Sequence, residues 1–357
     1  MAYTTIDDPS VYFQTALYSS DGGGGSITVT NDGNSDLQPD WIWIKVRNGA
    51  NDHNMFDSSR SNFAERQWSN LDSASDSTVT VSANSDGFAT GTGYGDINNT
   101  SGANNYVAWQ WKANGGTATA TGSESGNNPA YSVQANTTAG FSIVTYTGTG
   151  AAGTVPHGLG AVPSMILVKN RTSGSTPWTV YHKNSNATPQ NYILVLNTTA
   201  AASDNDRFND TAPTSSVFSV NDSASVNENS SNHLAYCFTE KQGYSKFGSY
   251  TGNGNADGPF VYTGFKPAWV ILKRSSGVAD WNIFDNKRPN AFNEANGRLR
   301  SNDATAESTS DAGVDLLSNG FKCRLGSEFN ANGTTNIYMA FAESPFVSSE
   351  GVPTTAR

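Results

Sequence analysis

One strand is written three times in this chain. "PDWIWIKVRNG" spans 39–49, "VPSMILVKNRT" spans 162–172 and "KPAWVILKRSS" spans 266–276. Each has a proline, an alternating or continuous run of large apolar residues, and then Lys with Arg close behind. A fixed sequence of landmarks follows each copy. A second short strand reads "HNMFDSSR" (53–60), "WTVYHKN" (178–184) and "WNIFDNKR" (281–288). A late phenylalanine follows in "SDGFAT" (85–90), "SVFSVN" (216–221) and "SNGFKC" (318–323), and each unit closes with "NNYVAWQW" (104–111), "NHLAYCF" (232–238) or "NIYMAFA" (336–342). From Pro39 to Ala108 is 69 positions, from Pro163 to Ala235 is 72, and from Pro267 to Ala340 is 73. Landmarks held in order at constant separation mark an internal repeat.

The repeat dictates strands. In "WIWIKV", Trp41 and Trp43 fall on one face and Ile42 and Ile44 on the other; "MILV" is continuous, as in a strand buried on both sides. β-Branched and aromatic residues dominate these runs and turn signals punctuate them. Pro39, Pro163 and Pro267 fit the start of a strand, where no ladder hydrogen bond is lost, and Lys45, Lys169 and Lys273 are expected to leave the sheet at its end. An opening strand precedes each unit, in "VYFQTALYSSDGGGG" (11–25), "GFSIVTYTGTG" (140–150) and "YSKFGSYTGNG" (244–254). The fold expected is all-β: three antiparallel, jelly-roll-like β-sandwich modules in tandem. Their bounds are 1–114, 138–241 and 242–346. A polar linker is expected at 115–137 and a C-terminal tail at 347–357, with the second and third modules packed as a rigid pair.

The 357 residues are 36% hydrophobic and 15% charged. Gly, Ser, Thr and Asn take up the balance, which suits thin β-structure with many turns, and 17 Phe, 14 Tyr and 8 Trp supply cores that a disordered chain lacks. The net charge of −10 and scattered Lys and Arg argue against nucleic acid and against anionic membrane surfaces. No apolar run reaches the ~20 residues of a spanning helix, and the N-terminus reads as no secretory signal.

Few residues invite chemistry. Asp57 with Arg60, and Asp285 with Arg288, form a D-x-x-R pattern that module two lacks, having His182 in place of the aspartate. The pairs are expected to brace tight turns, contributing ~0–1 kcal/mol if exposed. His157 in "TVPHGLG" has neither nucleophile nor orienting acid beside it. His53, His157, His182 and His233 show no metal spacing, and Cys237 and Cys323 occupy unmatched positions. "DGGGGS" (21–26) opens no helix; "NDGNSD" (31–36) and "DNDRFND" (204–210) read as Asx-turns in preference to weak Ca²⁺ sites. Trp68 and Tyr94 are the candidates for an exposed sugar platform, whereas Trp178 and Trp281 are matched between modules and belong to cores. No catalytic residue, cofactor or metal is assigned.

The opening "MAYTTIDDPSVYFQTALYS" with "NDGNSDLQPDWIWIKVRNG" and "HNMFDSSR", and the later "FSIVTYTGTG…TVPHGLGAVPSMILVKNR" and "GFKPAWVILKRSS…WNIFDNKR", are similar to virion structural or tail-fibre-like proteins of marine, cyanophage-like bacteriophages with repeated β-modules. The resemblance covers nearly the whole chain. It implies a non-enzymatic virion component made in the bacterial host cytoplasm, consistent with sparse cysteine. A tail fibre or host-attachment part is expected, with module one at the anchored end. Its partners would be other virion proteins, further copies of the chain (a trimer if a fibre) and a host-surface glycan or protein. The chain runs only a little past "AESPF" (342–346), where long fibres carry further domains. That leaves a smaller tail attachment or capsid decoration open; separately, a host-polysaccharide depolymerase or carbohydrate-binding protein is the rival reading, which paired carboxylates ~5–9.5 Å apart in a groove would support.

Overall fold

The computed structural model of the protein describes residues 2–20, 22–92, 94–99, 102–288 and 293–354. Its regular structure is almost entirely β-strand; among the described residues the one α-helix is the short Ala224–Asn227, beside five single-turn 3-10 helices. Each third of the chain forms an antiparallel sheet with one strand order: opening, closing, proline, aromatic. The opening strands are Phe13–Ser19, Phe141–Thr147 and Ser245–Thr251, and the closing strands Asn105–Trp111, Asn232–Phe238 and Thr335–Pro345. The proline strands are Trp41–Val46, Met165–Asn170 and Phe265–Arg274, and the aromatic strands Asn54–Asp57, Thr179–His182 and Trp281–Asp285. Pro39 and Pro163 precede their strands, whereas Pro267 lies inside its strand, where the pairing register shifts on both sides of it. That irregularity accommodates a residue without an N–H.

A smaller outer sheet faces each main sheet. Gly87–Thr90, Val217–Val220 and Gly320–Cys323 bring Phe88, Phe218 and Phe321 into three separate cores. Ile42 and Ile44 point into the first of these. The other face of every main sheet is buried too, and in a single shared cluster. Trp41, Trp43, Trp109 and Trp111 of the first module meet Phe141, Leu167, Tyr236 and Phe238 of the second and Trp269, Ile271 and Phe341 of the third. Trp41 stacks on Trp111 at 4.3 Å and on Tyr236 at 4.4 Å, and Phe13 stacks on Phe341 at 5.3 Å. The modules are therefore three sandwiches gathered on a common aromatic centre, and not a string with one rigid pair.

The register corrects one sequence landmark. Ile44 pairs with Ala108 and Val168 with Ala235, but Leu272 pairs with Tyr338. Ala340 sits two positions beyond the counterpart of those alanines. A two-residue offset keeps a side chain on the same face of a strand, so the pattern concealed it.

The expected linker at 115–137 is also corrected. Ala120–Gly122 and Ala130–Asn136 add two strands beyond the second module's opening strand, and Val133 and Ala135 enter that module's core. Alternation with small and polar residues disguised them. The turn before them is anchored by Asp40, whose buried carboxylate accepts the N–H groups of Ala113, Gly115 and Gly116 and the Ser58 hydroxyl. The expected tail at 347–357 is described as far as Thr354. Within it Val347 bridges to Pro353 and Ser349 binds the Asp7 carboxylate. The N-terminal segment lies on the third module of its own chain: Tyr3 Oη donates to Gly264 O and Thr4 Oγ1 to Gln242 O.

Candidate functional site

The residues singled out for chemistry converge on the seams between modules. Asp57 and Arg60 pair at 2.6 Å with both side chains wholly buried, and Asp285 and Arg288 repeat this at 2.6 Å. In each, the carboxylate's Oδ1 accepts the Arg backbone N–H, and the guanidinium reaches back to the carbonyl of Met55 or Ile283. The pairs do brace a turn. They are buried, however, so a surface-pair value does not apply to them. Each Oδ2 also accepts a ring donor from the neighbouring module: Tyr236 Oη to Asp57 at 2.7 Å, and Trp109 Nε1 to Asp285 at 2.8 Å. Tyr236 and Trp109 hold the same register position, and the third module has Met339 there. Met offers no N–H or O–H. Opposite it the second module carries His182, whose Nε2 donates to the backbone carbonyl of Tyr338 at 3.1 Å while Nδ1 accepts from Asn184 N. His182 in place of aspartate thus answers Met339 in place of a donor.

A second set runs in the same cyclic sense. His53, Trp178 and Trp281 occupy matching positions one residue before matched aromatic-strand residues. Their ring N–H groups reach the carbonyls of Arg300, Trp68 and Val195 in the neighbouring module, at 2.8, 2.7 and 2.9 Å. His53 Nδ1 accepts from Trp43 Nε1, so its Nε2 carries the proton. A third set is backbone: the carbonyls of Arg47, Arg171 and Ser275 accept N–H groups of Glu307, Ser75 and Ala202. In all three sets the first module meets the third, the second meets the first, and the third meets the second. The ring of contacts is closed.

The lysines expected to leave the sheets are buried at these seams. Lys169 Nζ donates to Thr176 O and across the seam to Asp72 O; Lys273 Nζ donates to Ala279 O and across to Thr199 O. Lys45 Nζ donates to Val46 O and Gly49 O. Burial pushes each ammonium down to about 8. Burial likewise holds the imidazoles low, His182 at about 3 and His233 at about 4, with His53 and His157 also lowered. His157 is a turn residue, accepting Leu159 N and donating to Thr214 O. Cys237 and Cys323 are free thiols in two different cores, each pushed up by burial, Cys323 to about 12.

The proposed sugar platform is occupied by the protein itself. The Arg66 guanidinium lies over Trp68 at 4.4 Å and over Tyr94 at 5.4 Å. Trp178 and Trp281 are core residues. In the turn at 204–210, Asn205 caps Arg207 N, and in that at 31–36 Asn31 binds Gln110. No cluster of His, Cys, Asp or Glu fit to hold a metal occurs among the described residues.

One repeated device was missed in the sequence. Tyr18, Tyr146 and Tyr250 donate to the carbonyls of Ile97, Val226 and Phe329. Each acceptor is followed by a buried asparagine: Asn98, Asn227 and Asn330. The latter two accept the N–H of Thr149 and Asn253 in the turn after the opening strand. A Tyr ending each opening strand, with an apolar-Asn pair some eight to ten residues before the matched closing-strand position, was the available signal.

A family model described as "Domain of unknown function (DUF7483)" matches residues 8–345, across all three modules. Among the curated proteins and the solved structures, none matches the chain.

Proposed function

We propose that this chain, which belongs to the DUF7483 family, is three copies of one β-sandwich module fused into a non-enzymatic virion structural protein of a bacteriophage, serving as a tail-fibre or host-attachment component. The observation that carries the reading is where the ionisable side chains are placed. Asp57, Arg60, Asp285, Arg288, His53, His182, Lys169 and Lys273 are buried and bonded within or across seams between modules. Such groups lock modules together and are out of reach of a substrate. The resemblance of the chain's motifs to virion proteins supplies the location.

A chain that closes its own ring of three modules makes further contacts through its outer surface. The exposed Phe260 and Tyr262 lie on an outer-sheet strand of the third module and are the surface we assign to association with further copies or with other virion proteins. The experiment is to locate the protein in purified particles by mass spectrometry and labelled antibody. Presence at a fixed copy number on the tail supports the reading. Presence on the capsid shell supports decoration instead, and absence from particles overturns both.

A further inference from the structure

The three seams differ at one further place, in their opening strands. There Thr15, Ile143 and Phe247 hold the same register position, opposite Trp109, Tyr236 and Met339. Ile143 and Phe247 belong to the shared apolar core. Thr15 is smaller, and its buried hydroxyl has no hydrogen-bond partner among the described residues. An unmet buried hydroxyl is costly. Beside it, between the first and third modules, opens a cleft of about 360 Å³.

At the other two seams the chain fills the corresponding space with a polar side chain of its own. Between modules two and one it is Gln134, from the added strand, whose Nε2 donates to Ser58 Oγ at 2.9 Å and Ser59 Oγ at 2.8 Å. Between modules three and two it is Glu240, which accepts Phe247 N at 3.0 Å and pairs with Lys183 at 2.8 Å. In the open cleft, Asn286 and Lys287 hold the positions of Ser58 and Ser59 after the matched aspartates. Glu343, the register counterpart of Glu240, turns to Lys266 and Asn286 instead. Because Phe247 N–H points away from its closing strand, alternation in an antiparallel pair directs the N–H of Thr15 the same way, toward the cleft.

We propose that this cleft binds one or two residues of a neutral sugar. Its rim is charged but balanced: Lys287 pairs with both oxygens of Asp32 at 2.9 Å, and Glu343 pairs with Lys266. Each rim charge is therefore already partnered in an exposed pair, and a charged ligand gains little from it. A neutral polyol adds donors and acceptors to the carboxylate lone pairs, the Asn286 amide and the Thr15 N–H. The inner wall supplies Phe13, Ala268 and Ala342 for the C–H face of a sugar ring. The volume lies at the lower end of the ~300–1,000 Å³ usual for small-molecule pockets, which sit by preference at domain interfaces. The inference rests on the seam geometry and is independent of where the protein resides.

The test is saturation-transfer NMR on the full chain with galactose, N-acetylglucosamine and, as the charged comparison, glucuronate. Transfer to ring protons of a neutral sugar is expected, lost in Thr15→Ile, which copies the second module, and weakened at least tenfold in Asn286→Ala. Asn286 is on the rim, so that variant carries the test if Thr15→Ile does not fold. Thr15→Ser should bind as the parent does. No transfer from either neutral sugar, preferential binding of glucuronate, or equal transfer in the parent and Asn286→Ala would each overturn the proposal.

Discussion

Tyr236 of the second module donates its phenol proton to Oδ2 of Asp57 in the first, at 2.7 Å, and so completes a carboxylate that already holds Arg60. Asp285 is completed the same way by Trp109, and Arg288 there also holds Glu307, which reaches Arg47 of the first module. These are buried ion pairs shared between modules, and their removal is expected to be felt across the molecule.

Replacing Asp57 by Ala leaves the buried Arg60 guanidinium without its carboxylate, whereas in Asp285→Ala Glu307 still faces Arg288, so the larger loss is expected for Asp57. A loss of ~3–5 kcal/mol is expected, as for other broken buried pairs. Denaturant unfolding of each variant measures it. A loss below ~1 kcal/mol, the value for an exposed pair, would contradict the burial described here.

Tyr236→Phe removes only the donor to a charged acceptor, so ~1.5–3 kcal/mol is expected. His182→Asp should be worse than this. It places a carboxylate opposite Met339, which has no proton to give, and loses the bond to Tyr338 O. A His182→Asp variant as stable as the parent would refute the matching of His182 to Met339.

Stability should rise from about pH 8 toward about pH 9. The three buried lysines titrate at about 8 in the folded chain against 10.5 unfolded. In that window the unfolded state binds more protons, and stability therefore climbs with pH. Above about pH 9 the sign reverses, because the buried Cys237 and Cys323 thiols, and then the buried Tyr18, Tyr146 and Tyr236 phenols, hold protons that the unfolded chain releases. On the acid side the buried imidazoles, with folded values below the ordinary 6.5, stay neutral while the unfolded chain protonates. The imidazoles' contribution is complete above 6.5 and is lost as pH drops toward about 3. Thermal melts from pH 4 to 11 would show a maximum at about pH 9; a flat profile between about 8 and 9 would count against the buried lysines.

The second module alone, residues 115–241, should not fold to a stable monomer. Its Phe141, Leu167, Tyr236 and Phe238 would lose the neighbours that cover them, leaving an apolar face of the kind that drives association. Circular dichroism and sedimentation of the fragment decide this. A soluble, cooperatively melting monomer would show that the shared centre is dispensable.

Much of the fold is legible in the residues. Trp41 and Trp43 alternating with Ile42 and Ile44 announce a strand with two buried faces, and both faces are buried. What covers the tryptophan face is not written locally, because a strand's period states that a face is apolar and not what it meets. For the same reason Lys169 reads as a solvent-seeking residue at a strand end. Only the carbonyls of Thr176 and Asp72, from two modules, make its burial tolerable. Asp57 and Asp285 were visible as a motif, but their ring donors lie far away along the chain.

The sequence by itself therefore determined the all-β class, the positions of the repeated strands and the recurrence of one strand pattern, since each depends on periodicity and turn chemistry within short windows. The tertiary structure decided that the three sandwiches close on one aromatic centre, that 115–137 contributes the strands Ala120–Gly122 and Ala130–Asn136, and that a cleft stays open beside Thr15 where Gln134 and Glu240 fill the other two seams. Those outcomes depend on side chains from separate modules meeting, and no local pattern encodes which carbonyl, ring or carboxylate will arrive opposite.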